Sequence, residues 1–228
     1  MRDSLLLWDI DGTLVCTDRA GERSLLILIR DLYGRDLGDK LPVVLQGRTD
    51  TSITRDILDY LGISITPEEE KRFREAYLAL LPKTLPAGNS RLHPGIREAL
   101  DAVQAHPEIH QGLLTGNHEE GARLKLSHLG IWHYFEFGAY ADDSHIRNEL
   151  GPFALARAKK KLGIEFPPER VFIIGDTPHD VACGKAIGAK TIAVATGSFS
   201  VAELEAEKPT HTFADLSDTQ ALLKAVLI

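Results

Sequence analysis

Cysteine is scarce in this chain. Only Cys16 and Cys183 occur among 228 residues, and neither falls in a C-x-x-C pair. A disulfide framework is therefore excluded, and a reduced, cytoplasmic protein is the expectation. Positive charge is not in excess either: 26 Lys and Arg stand against 33 Asp and Glu, for a formal net charge of -7. That balance argues against general binding to nucleic acid or to a membrane surface. No apolar run approaches the roughly 18 residues needed to span a bilayer. The first apolar stretch follows a single Arg and is cut short by Asp9, so it does not read as a signal peptide. There is no internal repeat and no low-complexity tract. Nine histidines are scattered. His106 and His110 are four apart, but Pro107 lies between them and no other ligand is near, so no metal site is expected there.

What is present is a hydrophobic content of 43% with few aromatics, enough for a proper core. The length suits one domain, or one domain with a large insertion. The stretch Leu5-Leu6-Leu7-Trp8-Asp9-Ile10-Asp11-Gly12-Thr13 organises the rest. Four apolar residues in a row read as a strand buried on both faces, as in a parallel sheet. Gly12 marks a sharp turn. Asp9 and Asp11 should then sit at the carboxyl end of the first strand, where open α/β sheets bind ligands. Two carboxylates so close require that one be protonated or that a cation lie between them.

Between that strand and the rest lies a helical stretch. Leu25, Leu28, Ile29 and Leu32 fall at helical spacing before Gly34, and Ile53, Ile57 and Leu61 repeat the pattern before Gly62. Thr66-Pro67-Glu68-Glu69 predicts a capping box opening a helix with Phe73, Ala76, Tyr77 and Leu80 on one face, which Pro82 and Pro86 should break. Asp50 or Thr51 is expected to cap the helix that follows Gln46-Gly47-Arg48-Thr49. From Pro94 onward strands and helices alternate. Gly112–Leu114, Val171–Ile174 and Thr191–Val194 read as strands, Phe135–Ala139 as a weaker one, and Ser200–Glu203 as a second capping box. This predicts an α/β, doubly wound, Rossmann-like parallel-sheet core, residues 1–17 and 91–228, with an α-helical cap, residues 18–90, inserted after the first strand.

Three strong strands thus end in polar residues: Asp9 and Asp11; Thr115-Gly116-Asn117; and Asp176 with Asp180 four later. If the strands are parallel, the three clusters converge on one edge of the sheet. Carboxylates with a hydroxyl and an amide form a hard-oxygen donor set of the kind that suits Mg²⁺ and a bridging phosphate.

Asp9-Ile10-Asp11-Gly12-Thr13, Leu114-Thr115-Gly116-Asn117 and Gly175-Asp176-Thr177-Pro178-His179-Asp180 together resemble the first, second and fourth motifs of the haloacid dehalogenase superfamily, in its phosphatase branch. The helical insert resembles the cap of phosphoglycolate phosphatase-like and β-phosphoglucomutase-like members. The resemblance implies Asp9 as nucleophile, forming an aspartyl-phosphate, and Asp11 as general acid and base. It implies Mg²⁺ held by Asp9, Asp11 (through its backbone carbonyl) and Asp176, and phosphate contacts from Ile10, Thr115, Gly116 and Asn117. The third motif departs from the pattern: Arg147 stands where a Lys is usual, with Lys159 or Lys160 as the alternative. Asp180 is read as a helix cap, as an orienter of Arg147 or a metal-bound water, or both. Arg48, in the cap, is expected to meet the substrate outside its reacting phosphoryl group. His118, beside Asn117, reads either as a substrate contact or as a surface residue at a helix start; His179 reads as a loop residue, and Asp142 and Asp143 as a solvated turn, with the metal's outer shell as the alternative. The expectation is a Mg²⁺-dependent phosphatase acting on a small phosphorylated metabolite, with no nucleic-acid or membrane partner, as a monomer or small homo-oligomer. A phosphomutase is the alternative, and a non-catalytic phosphate-binding module a more distant one.

Overall fold

The computed structural model describes residues 3–86 and 88–227. The elements run β1 (Ser4–Trp8), β2 (Val15–Cys16), α1 (Ala20–Tyr33), α2 (Asp50–Tyr60), α3 (Pro67–Thr84), β3 (Arg91–Leu92), α4 (Ile96–Gln104), β4 (Ile109–Leu114) and α5 (Glu119–His128). They continue with β5 (Gly138–Ala139), α6 (Leu150–Leu162), β6 (Val171–Gly175), α7 (Pro178–Ala186), β7 (Lys190–Val194), α8 (Val201–Ala206), β8 (His211–Phe213) and α9 (Thr219–Val226). Six strands form one sheet in the order β5-β4-β1-β6-β7-β8, every pairing parallel. β1 is central, and the chain steps outward on one side of it before crossing to β6 on the other. That reversal of strand order opens a crevice at the carboxyl ends of β1 and its neighbours.

β1 is fully buried because both faces of the sheet are covered. Alternate side chains serve different layers, as the two-residue period of a strand dictates. Leu6 and Trp8 pack with Ile96, Leu100, Leu126 and Leu222, from α4, α5 and α9. Leu5 and Leu7 pack with Leu150, Ala154, Ala158 and Cys183, from α6 and α7. Each buried leucine contributes about 1.5–3 kcal/mol, so this one strand anchors both halves of the core.

α1, α2 and α3 have an apolar core of their own, built on Leu28, Ile29, Ile57, Phe73 and Leu81, with Leu124 of α5 packed against it. β2 and β3 pair antiparallel, Val15 with Leu92 and Cys16 with Arg91, bringing the two ends of the helical insert together. Thr66 caps α3 by accepting the Glu69 N–H at 3.2 Å, but Glu69 takes the Tyr33 hydroxyl at 2.6 Å. α3 also runs through Pro82 to Thr84 rather than breaking there. Leu81 and Leu85 are buried in the cap core, and the Ser24 and Thr84 hydroxyls are 2.8 Å apart, so packing holds the last turn despite the lost amide donor. The weaker strand shortens to Gly138–Ala139, behind a 3-10 turn over Trp132–Tyr134. Among the described residues, no helix is long and apolar enough to cross a membrane.

Candidate active site

The parallel sheet brings the ends of β1, β4 and β6 side by side. β1 extends one residue further through the Asp9 N–H, which donates to the Ile174 carbonyl at 2.9 Å. The chain then folds back: the Leu14 and Val15 amides donate to the Ile10 carbonyl, and Gly12 N–H donates to the Val15 carbonyl. Gly12 adopts φ 85°, and a Cβ there would overlap the Asp176 carboxylate. Only glycine allows both the left-handed turn and that approach. Thr13 Oγ1 donates to Asp176 Oδ1 at 3.1 Å, fixing the end of β6 against the loop after β1.

Asp9, Asp176 and Asp180 offer carboxylate oxygens that all lie within 4.8 Å of one another. None is more than 4% exposed. Burial pushes the Asp9 carboxyl up to about 6, with Asp180 and Asp11 adding to the rise and Arg147 opposing it. Burial likewise raises Asp176 well above the usual carboxylate range, with Asp180 and Asp9 adding to it. Arg147, on a 3-10 turn over Arg147–Glu149, is buried among them. Its Nη2 is 3.0 Å from Asp9 Oδ1 and also donates to Asp180 Oδ1. Burial works against the guanidinium charge, but Asp180 and Asp9 outweigh it. Asp9 and Asp180 therefore share one guanidinium while Asp176 accepts the Thr13 hydroxyl, and the excess negative charge of this buried cluster fits a hard divalent cation.

Asp180 does two things at once: its Oδ2 accepts the Thr177 N–H and hydroxyl at the start of α7, while Oδ1 meets Arg147. Lys159 pairs with Glu165 at the surface, so it does not stand in for Arg147.

The contact expected from Asp11 to a metal is through its backbone carbonyl, and its carboxylate lies apart from the acidic cluster. The reason is a competing cation. Asp11 Oδ2 accepts from Lys125 Nζ at 2.5 Å and from Asn117 Nδ2 at 2.8 Å. Lys125 is 4% exposed. Burial disfavours its ammonium, yet Asp11, Tyr77 and Asp50 hold its pKa above the ordinary lysine value. The sequence carried a signal for Lys125: it sits with Gly121, Ala122 and Leu126 on the buried face of α5, where a lysine has no solvent to reach. Thr115 is buried, and its Oγ1 accepts from Asn117 Nδ2 at 3.0 Å. A Cβ at Gly116 would overlap the Arg48 carbonyl, so a side chain there would push the cap away.

The cap is docked through the start of α2. Thr49, not Asp50 or Thr51, caps this helix, accepting the Ser52 N–H at 3.1 Å and donating to the His145 carbonyl at 2.7 Å. Asp50 is turned to the core instead. Its N–H donates to the Gly116 carbonyl at 2.7 Å and its Oδ2 accepts the His118 N–H at 2.8 Å. Thr51 Oγ1 donates to the Ala141 carbonyl at 3.0 Å. Arg48 lines the cavity, but its guanidinium pairs with Asp56 at 2.9 Å and with the Ser52 hydroxyl at 3.2 Å. Asp142 and Asp143 do not join the acidic cluster: Asp142 binds Arg74 of the cap and the Glu119 N–H, and Asp143 pairs with Arg157. Ile10 is buried and its carbonyl is used by the turn. Between cap and core lies a cavity of about 280 Å³, floored by Asp9, Asp11, Asp176 and Arg147 and flanked by Lys125 and Arg48. It suits a small molecule rather than a polymer.

Comparison with known proteins agrees with this architecture. A pyrophosphatase, PpaX, from Bacillus cereus is 27% identical over 230 residues, covering 98% of this chain and 97% of the relative. A phosphoglycolate phosphatase from Aquifex aeolicus is 25% identical over 226 residues, 96% of each chain. The solved structure of a hydrolase from Pseudomonas syringae superposes with a TM-score of 0.72 at 19% identity, over 98% of this chain and 99% of that one. Residues 6–194 match the family model described as haloacid dehalogenase-like hydrolase, and with the parallel sheet, the helical insert and the converging carboxylates, the chain belongs to that family.

Proposed function

We propose that this protein is a Mg²⁺-dependent phosphatase that hydrolyses a small phosphorylated metabolite through an aspartyl-phosphate on Asp9. The observation that carries this reading is the split between two neighbouring carboxylates. Asp9 is buried beside Asp176, Asp180 and Arg147, whereas Asp11 stands apart, 43% exposed at its side chain and held by Asn117 and Lys125. Two environments for two carboxylates are what a nucleophile and an acid–base partner need.

In this mechanism an Asp9 carboxylate oxygen attacks phosphorus while the bond to the leaving oxygen breaks, and Asp11 gives that oxygen its proton. A water then attacks the aspartyl-phosphate, Asp11 takes the water's proton, and Asp9 departs as the free carboxylate. Arg147 and the Thr115 hydroxyl are assigned to the phosphoryl oxygens as pre-placed donors, while the Asn117 amide, which donates to Asp11 and Thr115, fixes both beside them. Asp9, Asp176 and the Asp11 carbonyl would hold Mg²⁺, with Asp180 beside them, and the ion would supply counter-charge to the phosphoryl group and the carboxylates. We assign residues 18–90 to the cap and residues 1–17 and 91–228 to the core. The β2–β3 ribbon and the separate apolar core of the insert support that division.

The pyrophosphatase and phosphoglycolate phosphatase relatives support a small phosphate anhydride or ester as substrate. The test is release of inorganic phosphate from a panel of phosphorylated metabolites, pyrophosphate and phosphoglycolate among them, with Mg²⁺ and with EDTA. Turnover of at least one, lost in EDTA and restored by Mg²⁺, is expected. Folded protein that releases no phosphate from any of them with Mg²⁺ present would overturn the assignment.

A further inference from the structure

Lys125 has no part in the mechanism above, yet it is a buried charge at the edge of the site. Its ammonium is buried, and it contacts Asp11 Oδ2 at 2.5 Å and Asn117 Oδ1 at 2.6 Å. Asn117 Nδ2 donates to the same Asp11 oxygen at 2.8 Å. The three side chains therefore close a ring. Lys125 and Asn117 converge on Oδ2, and among the described residues no hydrogen bond reaches Oδ1. One oxygen of the Asp11 carboxylate is clamped and the other is left to the cavity.

Taking a lysine ammonium out of water costs several kcal/mol, a cost that Asp11, Tyr77 and Asp50 together outweigh here. A methionine or leucine on this face of α5 would pack against Ala122 and Leu126 without that cost. The cap adds to the burial. Leu124, next in sequence, packs into the cap core, and the cap residues Asp50 and Tyr77 face the ammonium.

We infer that Lys125 is a positioning residue for phosphoryl transfer, clamping the Asp11 carboxylate through Oδ2 and orienting the Asn117 amide, so that Oδ1 is presented to the leaving-group oxygen and then to the attacking water. This rests on the acid–base role assigned to Asp11 above. A loose Asp11 would sample several rotamers, and general acid–base catalysis requires hydrogen-bond reach at the moment of transfer.

The test is a double-mutant cycle on a phosphate ester that the wild type hydrolyses, using Lys125→Met, Asp11→Asn and the pair. Lys125→Met should lower kcat by about 10²-fold and leave KM within roughly twofold. In the Asp11→Asn background the same change should cost less than roughly twofold, because the residue it acts through is already gone. Equal losses in both backgrounds would overturn the proposal, as would a wild-type kcat in Lys125→Met. Lys125→Gln, which keeps a buried donor, replaces the methionine variant if that one does not fold and should retain more activity. Crystal structures of the wild type and the Lys125 variant give a readout independent of turnover. Asp11 should leave its observed rotamer and the Asn117 amide should reorient. An unmoved Asp11 would overturn the proposal even if the wild type hydrolysed nothing, an outcome that would by itself count only against the assigned function.

Discussion

Asp9→Asn should make the metal-free protein more stable while it destroys turnover. Burial raises the Asp9 carboxyl from 3.8 to about 6, so the fold holds its proton more tightly than the unfolded chain does. Stability from this group is therefore complete below about 3.8 and is lost as pH rises through about 6. A rise of about two units corresponds to about 3 kcal/mol of penalty for the ionised form. Asparagine has the same shape and carries no charge, so it escapes that penalty. The change does not strand Arg147, whose Nη2 still donates to Asp180. For a chain of this length each kcal/mol moves Tm by roughly 2–4 °C. In EDTA at pH 8 the variant should therefore melt about 6–12 °C above wild type, and at pH 4 the two should nearly coincide. Thermal melts followed by circular dichroism at the two pH values measure this directly. Mg²⁺ should raise the Tm of wild type at pH 8 and that of Asp9→Asn much less, since the variant lacks the charge that binding would relieve. A wild type as stable as the variant at pH 8 in EDTA, or a gap that does not close at pH 4, would refute the reasoning.

Arg147 is the cation that Asp9 and Asp180 share, so Arg147→Ala should lower kcat on the order of 10²-fold or more, while Arg147→Lys keeps the charge without the forked reach and should fall between; steady-state kinetics with Mg²⁺ would show the ordering, and an unchanged Arg147→Ala would assign the phosphoryl charge elsewhere. Arg48 and Asp56 form a part-exposed pair worth about 0–1 kcal/mol, which a substrate anion exchanges easily. Arg48→Ala should therefore raise KM several-fold for a substrate with an anionic leaving part and little for p-nitrophenyl phosphate, and equal effects on both would place specificity in other residues.

The fold was largely legible because its strands carry unbroken apolar runs. Leu5–Trp8 and Val171–Ile174 must be buried on both faces, and a parallel sheet with helices between strands is the arrangement that achieves this. The convergence of Asp9, Thr115 and Asp176 followed from parallelism alone. What the sequence hid depends on tertiary contacts. Pro82 reads as a helix breaker, but the packing of Leu81 and Leu85 carries α3 past it. Thr49, Asp50 and Thr51 are all competent helix caps, and only docking of the cap on His145, His118 and Ala141 decides which one serves the helix. β8 and the β2–β3 ribbon are too short to show a period. The hold on the Asp11 carboxylate was hidden as well, because Lys125, ten residues beyond Thr115 in sequence, reaches back to it. A lysine on the buried face of α5 is the sign of that contact, and its burial is fixed only by the packing of the helix.

The most direct test of the chemistry is to quench the wild-type enzyme in acid during turnover of its best substrate with Mg²⁺, digest it, and locate any phosphoryl group by mass spectrometry. One phosphoryl group on the peptide that contains Asp9, absent from Asp9→Asn treated in the same way, is the predicted result. A phosphoryl group on another residue, or an unmodified Asp9 peptide under conditions where breakdown of the intermediate limits turnover, would contradict nucleophilic catalysis by Asp9.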